Sequence, residues 1–148
     1  MMSRTRHLAR RWVTSLSRRL PSPEDVLWVE RQLVGGELDL WREMDVIDRR
    51  HSIEVARRFG ELKRDSTRDE IAAALLHDVG KTASGLGTTE RVLATVLGGR
   101  TERWRRYRNH EAIGVEMCRL AGSSPATLAL LSDPHHPSAE ILRRADDL

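Results

Sequence analysis

The sequence predicts an all-α fold: an irregular multi-helix bundle forming a single domain. Apolar residues recur at helical spacing, cap and stop residues separate the periodic segments, and no run alternates as a β-strand does. A chain of 148 residues is long enough for one hydrophobic core and too short for two domains. We therefore divide it into a basic N-terminal helix or arm, residues 1–23, and one folded domain, residues 24–148.

Composition agrees with a globular protein, since 39% of residues are apolar and 32% are charged. No apolar run approaches the roughly 18 residues that cross a bilayer, and the N-terminus lacks the apolar block of a signal peptide. A cytoplasmic location is expected. The single cysteine, Cys118, lies at helical spacing among apolar residues, which favours a core thiol over a nucleophile.

The basic segment 1–23 contains six arginines and no acidic residue. If it is helical, its apolar side chains form one stripe: Leu8, Trp12, Leu16 and Leu20. The stripe is consistent with a helix that packs on the domain. The positive charge also fits an anionic partner, whether nucleic acid, an anionic membrane surface or a polyanionic substrate, and the composition suits a transit peptide. Arginine accounts for 23 of the 25 basic residues, which weakens any argument from charge because genome composition has the same effect.

Cap and stop residues define the first half of the domain. Pro23 follows Ser22 and predicts a helix start, and the helix extends through Leu33 until two glycines break it. One long amphipathic helix is predicted next, from about residue 37 to residue 61. Its apolar face comprises Leu40, Met44, Ile47, Val55 and Phe59. Thr67 and Glu70 then form a capping box that opens an apolar helix ending at His77.

Four further helices are predicted beyond a glycine-containing loop that follows residue 81. They cover residues 90–97, residues 102–121 closed by Gly122, a short segment from Ser124 through Leu131, and a last helix that begins at Ser138. A turn between Pro134 and Pro137 carries His135 and His136.

Five of the six histidines fall where they could converge. His51 and His110 lie on helix faces where apolar residues are expected, and Gly114, one turn beyond His110, permits close approach of another helix. An inward imidazole needs a hydrogen-bond or metal partner to offset its desolvation. Any one of these histidines alone is typical of a satisfied core or surface residue. Together with Asp78 and Asp146 they indicate a metal site, and a His/Asp set without cysteine suits Fe, Mn, Co, Ni, Zn or Mg.

The order of these residues carries a family resemblance. His51, the pair His77-Asp78 and then Asp146 resemble the H…HD…D signature of the HD superfamily of metal-dependent phosphohydrolases, whose domains are all-helical. Residues 77–81 are similar to that family's HDxGK motif. His110 and the pair His135-His136 resemble the two-metal subset, which includes HD-GYP cyclic-dinucleotide phosphodiesterases and bacterial dinucleoside tetraphosphate hydrolases. The resemblance covers roughly residues 40–148, and no GYP triplet follows the histidine pair.

The resemblance implies two divalent ions per chain. The first would be held by His51, His77, Asp78 and Asp146, with Asp147 as an alternative to Asp146. The second would be held by His110 and by one or both of His135 and His136, with Asp78 as the bridging, catalytic carboxylate. Two such cations bind a phosphate oxygen and activate a shared water.

Basic residues near the motif have two interpretations each. Lys81 either adds positive charge at the transferring phosphoryl group, as a catalytic and phosphate-binding residue, or is a solvated loop lysine. Arg106, with the arginines around it, either contacts a substrate phosphate or belongs to a solvated helix face.

The expected function is hydrolysis of a phosphoester or phosphoanhydride in a nucleotide or another phosphorylated small molecule. The alternative is a non-catalytic HD-like module that binds a nucleotide or a partner protein.

Overall fold

The computed structural model describes residues 19–81 and 105–148, with side chains in the second range from residue 111. These residues form seven α-helices and one 3-10 turn and contain no strand, so the all-α prediction is confirmed. The elements are α1 (Pro23–Gln32), α2 (Gly35–Glu43), α3 (Val46–Leu62), α4 (Arg68–Leu76), the 3-10 turn (Val79–Lys81), α5 (Arg105–Leu120), α6 (Pro125–Ser132) and α7 (Ala139–Asp147). None of the described helices is long and apolar enough to cross a membrane. The predicted stripe from Leu8 to Leu16 and the helix predicted at 90–97 lie outside the described residues.

Helix α4 is the centre of the bundle. All six residues from 71 to 76 are buried, and α1, α2, α3 and α6 pack against this helix. Its capping box forms as predicted, because Thr67 Oγ1 accepts from the Glu70 amide at 3.2 Å and the Thr67 amide donates to Glu70 Oε2 at 2.9 Å. The pair His77-Asp78 therefore directly follows a helix whose last six residues are all buried.

The prediction of one long helix over residues 37–61 is wrong. The structure has two helices, α2 and α3, separated at Met44 and Asp45, whose backbones are extended. Asp45 Oδ1 accepts a hydrogen bond from the Ile47 amide at 2.9 Å and so caps α3. Trp41 Nε1 donates to Ser52 Oγ at 2.9 Å across the corner, which ties the two helices together.

Gly36, near the start of α2, packs directly on the residue that follows α5. A Cβ atom at Gly36 would lie 2.2 Å from the carbonyl oxygen of Ala121, whereas a Cβ at Gly35 would meet no atom within 4 Å. We expect Gly36→Ala to lower the free energy of unfolding by about 1–3 kcal/mol through overpacking. The matched control, Gly35→Ala, should leave it unchanged or raise it by up to about 1 kcal/mol. Urea unfolding of both variants checks this, and equal stability of the two would contradict the close contact.

Glu70 joins the start of α4 to the start of α7. Its Oε1 accepts from Ser138 Oγ at 2.5 Å, and its Oε2 lies 3.0 Å from Lys63 Nζ. Burial raises the pKa of the Glu70 carboxyl, but the hydrogen bonds from Ser138, Thr67 and Lys63 outweigh burial, so the pKa is lower than its ordinary value of 4.5.

The depressed pKa of Glu70 predicts a loss of stability in acid. A lowered folded-state pKa contributes stability that is present above pH 4.5 and is lost as the pH falls through the folded-state value. Urea unfolding with a chelator present should show that Glu70→Gln loses less stability than the wild type between about pH 7 and about pH 3. Glu61→Gln, at an exposed position, is the control and should behave like the wild type. Parallel curves for the wild type and Glu70→Gln would contradict the assignment.

Three smaller predictions from the sequence also hold in the structure. A Cβ at Gly114 would lie 3.2 Å from the Gly80 amide nitrogen, so this glycine does permit the 3-10 turn to approach α5 closely. Gly122, with φ +86°, follows the end of α5 in the left-handed region. Cys118 is fully buried, and burial raises the pKa of its thiol to about 12, as expected for a core thiol.

Candidate metal centre

Three helices and the turn after α4 bring the first predicted ligand set together. His51 lies in the middle of α3, His77 caps the C-terminal end of α4, Asp78 follows it, and Asp146 lies in the last turn of α7. Helix α3 packs against both α4 and α7. Residues far apart in the sequence therefore meet at one point.

His51, His77 and Asp78 lie within ligand distance of one another, and Asp146 lies beside both histidines. His51 Nε2 donates to Asp146 Oδ1 at 2.8 Å, and His77 Nε2 lies 3.5 Å from both Asp78 Oδ2 and Asp146 Oδ1. His51, His77 and Asp78 each offer one ligand atom within 4.8 Å of the others. The site holds imidazole and carboxylate groups but no thiolate, a donor set typical of catalytic divalent cations.

The orientation of His77 is the most informative feature of the site. Its Nδ1 donates to the Ala74 carbonyl oxygen at 2.8 Å, which leaves the lone pair of the neutral ring on Nε2. That Nε2 atom is buried and has no hydrogen-bond partner among the described residues, because the two carboxylate oxygens at 3.5 Å are too distant. A lone pair that faces two carboxylates is repelled by them unless a proton or a cation lies between. The arrangement fits a metal ion.

The pKa values of Asp146 and His77 are shifted because the imidazole and carboxylate groups of the site lie close together. Hydrogen bonding by His51, with the neighbouring His77, holds the pKa of the Asp146 carboxyl well below its ordinary value. Burial lowers the pKa of His77, but Asp146, Asp78 and the Ala74 carbonyl outweigh burial and raise it above 6.5. The two carboxylates therefore favour positive charge beside His77 Nε2, which a bound cation would supply.

Asp48 lies near the candidate metal centre and was not predicted from the sequence. It lies one turn before His51 on α3, and its pKa is raised by burial first and then by the charges of Asp45 and Asp78. The i, i+3 spacing from His51 was the available signal, because it places both side chains on one face of the helix.

Lys81 ends the 3-10 turn beside the pair. Its Nζ lies 2.8 Å from Asp78 Oδ1, and 59% of its side chain is exposed. The ammonium group therefore lies next to the carboxylate and remains accessible to a substrate.

A cleft of about 480 Å³ opens onto the centre. Its wall includes His77, Asp78 and Asp146 on one side and His136 from the turn between α6 and α7. The remainder of the lining is mixed, with apolar side chains, among them Leu76, Val115, Leu130, Leu131 and Leu142, and charged ones, among them Lys81, Glu111, Asp133, Glu140 and Arg143.

The other predicted site residues differ in their placement. His135 is exposed and is not part of the cleft wall, and its amide donates to Asp133 Oδ1 at 2.8 Å. Asp147 is exposed, whereas Asp146 contacts His51. His110 and Arg106 lie in the described backbone of α5, but their side chains lie outside the described residues.

Comparison with known families agrees with this geometry. The family model described as "HD domain" matches residues 49–148, which include His51, the His77-Asp78 pair and Asp146. The chain belongs to the HD domain family. No curated protein and no solved structure matches this HD domain significantly. HD domains are generally metal-dependent hydrolases, so the family and the candidate metal centre support the same chemistry.

Proposed function

We propose that this HD domain is a metal-dependent phosphohydrolase whose first cation is held by His51, His77, Asp78 and Asp146. The observation that carries the proposal is the buried Nε2 atom of His77, which has no hydrogen-bond partner in the described part of the chain and faces two carboxylates. A structural histidine would satisfy both ring nitrogens. This one is held by the Ala74 carbonyl so that its Nε2 lone pair faces Asp78 and Asp146.

A divalent ion bound here would polarise a phosphoryl oxygen and lower the pKa of a bound water. The residues of the chain position the charged groups that this chemistry needs. Asp78 turns Oδ2 toward His77 and Oδ1 toward Lys81, so one carboxylate links the ligand set to a positive charge. Lys81 is thereby positioned to stabilise negative charge that develops on a phosphoryl group in the cleft.

The cleft favours a small substrate with an apolar part. A volume of about 480 Å³ is within the range of small-molecule sites. Val115, Leu131 and Leu142 offer an apolar wall next to the polar residues at the metal centre. A nucleotide combines a flat, weakly polar base with a phosphate, and we propose this class of substrate.

We also propose that the chain binds a second divalent ion, and the ground for this is the sequence resemblance. This ion would use His110 and one or both of His135 and His136, together with Asp78. The similarity to two-metal HD domains such as the dinucleoside tetraphosphate hydrolases supports it.

The experiment is metal reconstitution followed by a substrate panel. The full chain is stripped with a chelator and reloaded separately with Mn, Fe, Co, Ni, Zn or Mg. Each form is assayed against mononucleotides, cyclic dinucleotides and dinucleoside polyphosphates. We expect phosphate release or phosphodiester cleavage with at least one ion and none in the stripped chain. Nucleotide binding without hydrolysis under every ion would instead identify a non-catalytic binding module.

A further inference from the structure

His136 lines the same cleft as the metal centre, but its ring is oriented by a different kind of partner. Its Nδ1 atom accepts a hydrogen bond from the backbone amide of Ser138 at 3.1 Å. A backbone amide can only donate, so Nδ1 must present its lone pair. The neutral ring therefore carries its hydrogen on Nε2.

The neutral rings of His77 and His136 are different tautomers, because they carry the hydrogen on different nitrogens. His77 Nδ1 faces a carbonyl oxygen and leaves a lone pair on Nε2, which is the form that binds a metal. His136 Nδ1 faces an N–H group and leaves a hydrogen on Nε2, which is the form that donates. Metal binding through His136 Nε2 would require either an imidazolate or a hydrogen on Nδ1 directed at the Ser138 amide hydrogen. The imidazolate would keep the Ser138 contact, but a neutral histidine ring does not lose its remaining hydrogen near neutral pH, and the second arrangement sets two hydrogens against each other.

Ser138, which fixes the His136 ring, is itself held firmly. Only 2% of Ser138 is exposed, and its Oγ donates to Glu70 Oε1 at 2.5 Å. Glu70 is held in turn by Lys63 and by the capping box at the start of α4. The other end of α4 carries His77, so one helix positions both the lone pair of His77 and the N–H group of His136.

We infer that His136 is a hydrogen-bond donor to a phosphoryl oxygen of the substrate, through Nε2–H, and not a metal ligand. Glu70 and Ser138 act as positioning residues for this donor. The inference rests on the proposed function for its substrate, a phosphate-bearing molecule in the cleft. Its consequence for the predicted second ion is that His136 is not available to hold it.

The direct test is the tautomer of His136 in the full chain. Long-range 15N–1H NMR of ring nitrogens distinguishes a protonated Nε2 from a bare or metal-bound one. The spectrum is recorded on histidine-labelled protein before and after loading with zinc, which is diamagnetic, and the His136 signals are assigned by their loss in His136→Gln. We expect hydrogen on Nε2 of His136 in both states. A metal-bound Nε2, with hydrogen on Nδ1, in the zinc-loaded chain would overturn the inference.

Three variants separate a donor from a ligand. His136→Ala should keep the metal content of the wild type but bind inorganic phosphate about tenfold more weakly, because a hydrogen bond to a charged oxygen is lost. His136→Gln retains an amide N–H at a similar reach and should recover most of the phosphate affinity. Ser138→Ala keeps the backbone amide and should keep the His136 tautomer. Loss of a metal equivalent in His136→Ala, or equal phosphate affinity in all variants, would overturn the inference.

These outcomes also separate the inference from the proposed function. A chain that binds phosphate through His136 but hydrolyses nothing with any of the six ions supports the donor and contradicts the phosphohydrolase. A chain that hydrolyses a nucleotide but loses metal in His136→Ala supports the phosphohydrolase and contradicts the donor.

Discussion

His77→Ala and Asp78→Asn should each lose the bound metal ion and nearly all hydrolytic activity. His77 contributes the buried Nε2 lone pair, and Asp78 the carboxylate that faces it at 3.5 Å. Loss of an outer-shell partner of a metal ligand already costs roughly 10–100-fold in affinity or activity, so loss of a ligand should cost more. Metal content by mass spectrometry and initial rates with saturating metal measure both effects.

The matched control for Asp78→Asn is Asp65→Asn, because 89% of the Asp65 side chain is exposed and Asp65 lies outside the cleft wall. It should keep wild-type metal content and rate. Circular dichroism should show that all three variants remain helical. If His77→Ala and Asp78→Asn both retain bound metal and activity, the metal centre is not at this pair.

The second prediction compares Asp146 and Asp147, which are adjacent at the end of α7. Asp146→Asn should lose metal binding and activity, whereas Asp147→Asn should retain both. Asp146 Oδ1 accepts from His51 and faces His77, while Asp147 is exposed. The Asp-to-Asn change removes charge without changing the shape of the side chain, so a difference between neighbouring positions reports ligand identity.

Isothermal titration with zinc of both variants and the wild type measures the effect. The affinity of Asp146→Asn should fall by at least about tenfold, and that of Asp147→Asn should match the wild type. The reverse pattern would assign the ligand to Asp147 and would contradict the placement of α7.

Local signals in the sequence predicted much of the fold. The capping box of Thr67 and Glu70, the proline at the start of α1 and the glycine after α5 each act within a few residues, so the sequence alone reveals them. The break between α2 and α3 escaped prediction because the apolar pattern continues across it. The Asp45 cap and the Trp41–Ser52 contact decide that break, and the contact forms only once the corner is folded.

The site shows the same difference between local sequence signals, which could be read, and contacts that form only on folding, which could not. The order of His51, His77-Asp78 and Asp146 in the sequence indicated the residues that the structure brings together. Asp48 was missed because an acidic residue on an amphipathic helix is usually solvated, and its proximity to Asp78 depends on how α3 packs. The tautomer of His136 depends on one backbone amide in a turn, which no residue pattern specifies.

The most direct test of the metal centre is a crystal structure of the metal-loaded chain, with anomalous diffraction recorded at the absorption edge of the loaded ion. We predict an anomalous peak in contact with His51, His77, Asp78 and Asp146, where the His77 Nε2 atom lacks a hydrogen-bond partner among residues 19–81 and 111–148. No peak at this position, with the His51–Asp146 hydrogen bond unchanged in crystals that contain the ion, would contradict the account.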